Sequence, residues 1–386
     1  MSNNANHFNR REFLQTGALA AVGIGLGANQ QSKQQQKSEK PNPKKILNYQ
    51  SEMRYRRLGN SDIYFSVLSL GGIGIKKEVA LYAIDHGVNL VHMSSSYNFG
   101  SSIKILGSIL KERRDKVYVA LKDSFYDGSL DDIDKPLKTM NTDYVDFLMF
   151  NRHSVSKVND PKIAEIFEKW KAQGKVRFAG LTSHDDVKDC VSTGIKSGMY
   201  HVIQPAINQP NLELLQEELK LALEKGVGIM AMKTMKGVEE DELQIALIKK
   251  LLNNPAITTI TKGFNSFDMF DLFLKTAKET LTSREDFDLY RYAQKNRWNN
   301  CMMCGQCKQA CPQQIEIPTV LRCKDYYFDQ LDDRDLATET YREIPAEKRF
   351  DKVCSLCRKC ESVCPNGIQI VQRLQEAADV LSPLVV

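Results

Sequence analysis

Residues 145–181 read VDFLMFNRHSVSKVNDPKIAEIFEKWKAQGKVRFAGL. Val145–Phe150 is a nearly continuous apolar run of strand length. Ile163–Gln173 then sets Ile163, Ile166, Phe167 and Trp170 at i, i+3, i+4 and i+7, the spacing of one helix face. Gly174 stops that helix, and Val176–Leu181 opens a second apolar run. Strands that are apolar throughout rather than alternating have both faces covered, as parallel strands under crossover helices do. The same unit recurs along the chain. Further strand candidates are Val67–Leu70, Leu90–His92, Val117–Leu121, Val202–Gln204, Val227–Ala231 and Thr258–Ile260. Helical patterns at Ile103–Glu112, Leu212–Glu224 and Leu243–Leu252 lie between them, with Gly226 as a second stop. Eight such units over residues 51–280 predict a (β/α)8 TIM barrel. The alternative is a doubly wound open sheet. No G-x-G-x-x-G follows the first strand, which weakens its dinucleotide-binding form.

Barrel chemistry sits where strands end. The polar residues there are His92, Ser94 and Tyr97, then Lys122 and Asp123, then Asn151, Arg152 and His153. They continue with Thr182, Ser183 and His184, with Gln204 and Asn208, with Lys233, and with Lys262, Gly263 and Asn265. They predict a polar ring around one barrel mouth.

The strongest motif lies beyond the barrel. Residues 301–312 read CMMCGQCKQACP and residues 354–365 read CSLCRKCESVCP. Each is a C-x2-C-x2-C-x3-C-P run, the pattern that holds a cubane iron–sulfur cluster, and in two-cluster ferredoxins the fourth cysteine serves the other cube. That rule assigns Cys301, Cys304, Cys307 and Cys364 to one [4Fe-4S] cluster, and Cys354, Cys357, Cys360 and Cys311 to a second. Zinc and disulfides are the alternatives; neither needs the run twice. Cys190 and Cys323 stand apart and read as small buried hydrophobes. The flanking segments REDFDLYRYAQKNRW and PTVLRCKDYYFDQLDDRDLATETYREI have helical periodicity, as does Ile368–Val380, so residues 281–386 predict an α-helical ferredoxin-like domain. Cluster potentials span roughly −700 to +450 mV, so the motif leaves the direction of electron flow open.

The N-terminus reads NRREFLQTGALAAVGIGLGAN, with Arg10 and Arg11 ahead of a short Gly/Ala-rich apolar run. Residues 1–28 therefore resemble a twin-arginine export signal, and the run is too short and Gly-rich for a convincing spanning helix. Ala28 is a candidate cleavage position, and an uncleaved tether is the alternative. Export implies a periplasmic or similar location and the twin-arginine machinery as a partner. Residues 29–50 are rich in Gln, Lys, Ser and Pro and read as a flexible linker. The 386-residue chain has a formal charge of +5, and the first fifty residues, with seven Lys/Arg against two acids, hold all of that excess. The remainder is neutral, which argues against a nucleic-acid partner.

Several stretches together resemble the aldo/keto reductase family. MRYRRLGNSDIYFSVLSLGG is similar to its N-terminal hairpin and first strand. GVNLVHMSSSYNFGSS resembles its catalytic-tyrosine segment, and VYVALK its third strand. DYVDFLMFN, FAGLTSH, QPAIN, GVGIMAMKTMKG and TTITKGFNSFDMFD resemble the later strands. The resemblance covers roughly residues 53–275, and residues 281–386 fit the ferredoxin-like module of its iron–sulfur subset. It implies hydride exchange between a nicotinamide, NADP(H) or NAD(H), and a small carbonyl or alcohol substrate, with a redox partner protein or carrier beyond the clusters. It carries Tyr97 over as acid/base and Lys122 as its electrostatic partner. It carries Thr182, Ser183 and Gln204 to the nicotinamide carboxamide, and Lys262, Gly263 and Asn265 to the phosphates.

Two catalytic positions depart from the family. His92 stands where an Asp is expected, and Asn151 where a His is expected. A phenol ordinarily titrates near 10 and needs a nearby cation to work around neutrality. A protonated His92 would repel Lys122. Asn151 can hydrogen-bond a substrate oxygen but cannot change protonation state. His153, two residues further on, is the candidate replacement imidazole. Two functions follow: a barrel oxidoreductase coupled to clusters, or an iron–sulfur electron-transfer protein whose barrel is a docking scaffold.

Overall fold

The computed structural model describes residues 42–123, 132–238, 240–329 and 334–385. The expected export signal, residues 1–28 with Arg10 and Arg11, lies outside them, as does most of the expected linker. The stretch from Ile46 corrects the expected linker: it packs on the barrel. Ile46 is buried, and Asn48 Nδ2 donates to the carbonyls of Ile84 (2.6 Å) and Val88 (3.0 Å). The apolar pair Ile46–Leu47 in an otherwise polar stretch is the reason.

An antiparallel hairpin, β1 (Tyr55–Arg57) and β2 (Tyr64–Ser66), precedes the barrel. Eight parallel strands then close on themselves: β3 (Leu68–Gly71), β4 (Leu90–Ser94), β5 (Tyr118–Lys122), β6 (Val145–Asn151), β7 (Val176–Ser183), β8 (Val202–Pro205), β9 (Gly228–Ala231) and β10 (Ile257–Lys262). β10 returns to β3 with Ile260 opposite Leu68, so the closed (β/α)8 barrel stands and the open sheet does not. All eight strand candidates are found, most of them extended by a residue or two. Gly226 caps its helix in the left-handed region at φ +69°, where glycine carries no Cβ penalty.

The two sides of each strand bury different cores. Phe147 and Met149 of β6 point inward with Leu90, Ala120, Val202 and Met230, and Phe65 of the hairpin packs against them. Leu148 and Phe150 join the larger core under the helices. This two-sided burial explains the unbroken apolar runs.

The C-terminal domain is helical, with the principal helices Ser283–Asn296, Ile317–Lys324, Arg334–Glu343 and Ile370–Leu381. The first is fixed by a capping box in which Glu285 N donates to Thr282 Oγ1 (3.2 Å) and Thr282 N to Glu285 Oε2 (2.8 Å). The domain has its own core around Val320, Tyr341, Phe350 and Leu374. It lies against the barrel mouth. Leu289 and Met303 are buried in the barrel-side core, and the Met303 carbonyl accepts from Val187 N (3.2 Å). Among the described residues, no helix is long and apolar enough to cross a membrane.

Candidate active site and metal centre

The parallel register brings the ends of β4, β5 and β6 side by side, with Ser94 opposite Lys122 and Lys122 opposite Met149. Tyr97 follows in the turn after β4 and is buried. The Lys122 ammonium lies 5.0 Å from the Tyr97 ring centroid, and the His92 ring 6.2 Å from it. Tyr97, Lys122, His92 and Asn151, the four catalytic candidates, line one cavity of about 1180 Å³. That exceeds the roughly 300–1,000 Å³ of ordinary small-molecule pockets, so there is room for more than one ligand.

Burial, and then Lys122, hold His92 down to about 3, so the imidazole is neutral at physiological pH. Its Nε2, the Asn151 Oδ1 and the His184 Nδ1 are buried without a hydrogen-bond partner. Buried polar atoms are rarely left unpaired, so these three leave hydrogen-bonding capacity at the cavity that a ligand or ordered water can take. His153 lines the cavity, with Nδ1 2.7 Å from Asp185 Oδ2.

The cofactor candidates divide. Gln204, Lys262 and Gly263 line the cavity. Thr182 and Ser183 are fully buried behind it: Thr182 Oγ1 donates to Gln204 Oε1 (3.2 Å), and Ser183 Oγ to the Asp185 carbonyl (3.0 Å). Both hydroxyls are used within the fold, so these two shape the wall rather than offer donors. Asn265 lies outside the cavity, and its carbonyl accepts from Lys76 Nζ (2.9 Å).

The far wall belongs to the helical domain, and sequence reading missed it. Arg322, Asp325, Tyr326 and Glu343 all face the cavity. Asp185 is the hub of the seam, accepting from Thr319 Oγ1 (2.8 Å) and Arg322 Nη1 (3.3 Å) while it holds His153. Burial alone would raise this carboxyl; Arg322, His153 and Thr319 outweigh it and hold it well below its ordinary range. Lys233 Nζ donates to Tyr326 Oη, and Lys236 pairs with Asp325. Burial raises the Glu343 carboxyl, with Lys122 and Arg322 pulling the other way. The signal available in sequence was a set of charges, Arg322 and Asp325 among them, inside an apolar-periodic helix.

Across the two runs, Cys364 of the second comes beside three cysteines of the first. Cys301, Cys304, Cys307 and Cys364 line one small cavity with Pro318, Leu321, Ile368 and Ile370. Cys360 of the second run lies within the field of Cys311 of the first. None of the eight forms a disulfide. Among the described residues, no three His, Cys, Asp or Glu side chains are gathered tightly enough for a single metal ion. Four thiols spread around a small apolar space suit a cube, which takes one ligand at each corner. The first loop is shielded by the barrel. The second is open, with residues 355–359 all exposed. Cys190 and Cys323 are fully buried, as expected of small hydrophobes.

Comparison with known proteins agrees with this division. Residues 73–242 match the aldo/keto reductase family, and residues 269–316 match the 4Fe-4S dicluster domain. The second match spans the first cysteine run and ends before the second. An uncharacterized oxidoreductase of Bacillus subtilis, YqkF, is 29% identical over 151 residues, covering 34% of this chain and 49% of the relative. The aldo-keto reductase YhdN of the same organism is 26% identical over 155 residues, covering 36% and 46%. The chain thus spans about half the length of these relatives. Among solved structures, an aldo-keto reductase from Bacillus halodurans in its holo form superposes with a TM-score of 0.51 at 20% identity, covering 62% of this chain and 96% of that one. One from Klebsiella pneumoniae, in complex with NADPH, gives 0.51 at 16% identity, covering 60% and 93%. At that identity the two speak for the fold. Residues 73–242 are thus similar to an aldo/keto reductase domain and residues 269–316 to a 4Fe-4S dicluster domain, and the relatives support an oxidoreductase.

Proposed function

We propose that the chain is an exported oxidoreductase whose barrel site exchanges two electrons with a carbonyl or alcohol substrate, while two [4Fe-4S] clusters pass them singly to or from a redox partner. One observation carries this reading. A single cavity has Tyr97 and Lys122 on its barrel wall, and on its other wall Asn300 and Gly367, next to the cysteine loops. The inner cluster would be held by Cys301, Cys304, Cys307 and Cys364, the outer by Cys354, Cys357, Cys360 and Cys311. The first loop, against the barrel, and the open second loop would order the relay as cavity, inner cube, outer cube and partner, in either direction.

A nicotinamide, when bound, would supply or accept the hydride pair. Gln204, Lys262 and Gly263 are the residues on the cavity wall placed to hold it, with Thr182 steadying the Gln204 amide. Tyr97 gives or takes the proton at the substrate oxygen, with the Lys122 charge beside its ring. Asn151 orients that oxygen by hydrogen bonding, and neutral His92 adds no competing charge. Free nicotinamide nucleotide is not expected outside the cytoplasm, so the nucleotide would be loaded before export and carried tightly. Export rests on Arg10, Arg11 and the run that follows; lysine at both positions should leave the protein in the cytoplasmic fraction.

The decisive experiment is anaerobic purification of exported protein, with iron, sulfide and nucleotide quantified together. About eight irons per chain and one nucleotide are expected from two cubes and one site. Protein with clusters but no nucleotide would favour the second reading, a cluster protein with a docking barrel, for which the departures at His92 and Asn151 speak.

A further inference from the structure

Lys233 has no part in the reaction just described, yet it occupies the centre of the seam. It lies two residues past β9, in the left-handed region at φ +55°, a backbone conformation that residues with a side chain seldom adopt and that clusters at functional sites. Its Nζ donates to Tyr326 Oη and lies 4.2 Å from that ring's centroid. Tyr326 is carried on a single π-helical turn, Asp325–Asp329, a rare element found mostly at functional sites. Both side chains line the large cavity together with Tyr97, Asn151 and His184.

The charges around Lys233 are unusual for a structural lysine. Lys236, Arg322 and Lys122 are its cationic neighbours. Asp325 is taken by Lys236, and Asp185 by Arg322 and His153. Among the described residues, no carboxylate lies within ion-pair distance of the Lys233 ammonium position. Burial first, then Arg322 and Lys236, push its amine well below the ordinary lysine range. Desolvation and neighbouring cations favour the neutral form of an amine, which is its nucleophilic form.

We propose that Lys233 captures an aldehyde or ketone from the cavity as an imine, with Tyr326 of the helical domain relaying the protons. The amine nitrogen adds to the carbonyl carbon, and the carbonyl π pair moves to oxygen. That oxygen takes the Tyr326 proton, and the new ammonium returns one to the phenolate. The hydroxyl then leaves as water after a second proton from Tyr326, which the nitrogen again restores. One C–N double bond replaces one C–O double bond, water is released, and no oxidant or reductant is consumed. The unpartnered Asn151 Oδ1 and His184 Nδ1 favour a carbonyl compound carrying hydroxyl groups.

The test needs neither nucleotide nor turnover. Anaerobic holoprotein is incubated with glycolaldehyde and sodium cyanoborohydride, and adducts are mapped by peptide mass spectrometry. Lys233, desolvated and beside other cations, should label at least about tenfold faster than the exposed Lys220. Tyr326→Phe should slow labelling at Lys233 by on the order of 10²-fold, the usual worth of a positioned acid, and leave Lys220 unchanged. Labelling of Lys233 no faster than of Lys220 in the unaltered protein overturns the proposal, whatever the variant does. An unchanged Lys233 rate in folded Tyr326→Phe overturns it as well. Either failure leaves cluster content and hydride chemistry untouched, so it is distinct from failure of the oxidoreductase reading.

Discussion

Arg322 of the helical domain and Asp185 of the barrel form a buried ion pair across the seam, Nη1 to Oδ2 at 3.3 Å. Thr319 and His153 complete the carboxylate's partners. Such a pair is worth little against an apolar replacement, but removing one member strands the other charge. Asp185→Asn keeps the shape and abandons Arg322. It should cost about 3–5 kcal/mol, read as a lower denaturant midpoint. The same variant should speed proteolysis within residues 297–325, where the domain meets the barrel. An unshifted midpoint would mean that the seam does not depend on this carboxylate.

The cross-assigned cysteines make a prediction that a simple reading of the two runs does not. Cys364→Ser lies in the second run, but it should damage the cluster of the first. Its paramagnetic spectrum after dithionite should resemble that of Cys304→Ser and differ from that of Cys357→Ser. A Cys364→Ser spectrum matching Cys357→Ser would show that each run holds its own cube.

How much of this was legible in the chain differs by length scale. The strands were legible because burial on two faces leaves a run such as VDFLMF with little choice. The cysteine runs were legible because their spacing is the ligand geometry itself. The positions of Thr182 and Ser183 were not: both are polar residues at a strand end, and only packing decides that their hydroxyls turn to Gln204 and Asp185. The seam was hidden for a different reason. Lys233 and Tyr326 are 93 residues apart, and no local pattern says that a helical domain will close over a barrel mouth. Nothing local marks Asp185 either, because its partners Thr319 and Arg322 come from the other domain.

Tyr97→Phe separates the oxidoreductase from the docking scaffold. The ring fills the same space, so folding and both clusters should survive with unchanged iron content. If Tyr97 handles the substrate proton, turnover should fall by about 10²–10⁴-fold, with cluster reduction by dithionite unaffected. Turnover that persists with every accepted substrate would assign the barrel to docking.

His92 makes a prediction in pH. Its folded pKa is lowered to about 3 by burial and Lys122, whereas an unfolded histidine titrates near 6.5. Between those values the unfolded chain binds the extra proton, so acid favours unfolding. The contribution is complete above about pH 6.5 and is lost as pH falls toward 3, by up to about 1.4 kcal/mol per unit. His92→Asn cannot take up that proton. From about pH 6.5 to about pH 5 the wild-type protein should therefore lose on the order of 2 kcal/mol more than the variant. Denaturant titrations of both proteins at the two pH values measure this double difference, in which acid effects common to both, on the clusters and on His184, cancel. Parallel losses would mean that the buried imidazole takes up its proton inside the fold, with Lys122 yielding to it, and the neutral His92 on which the proposed site depends would have to be given up.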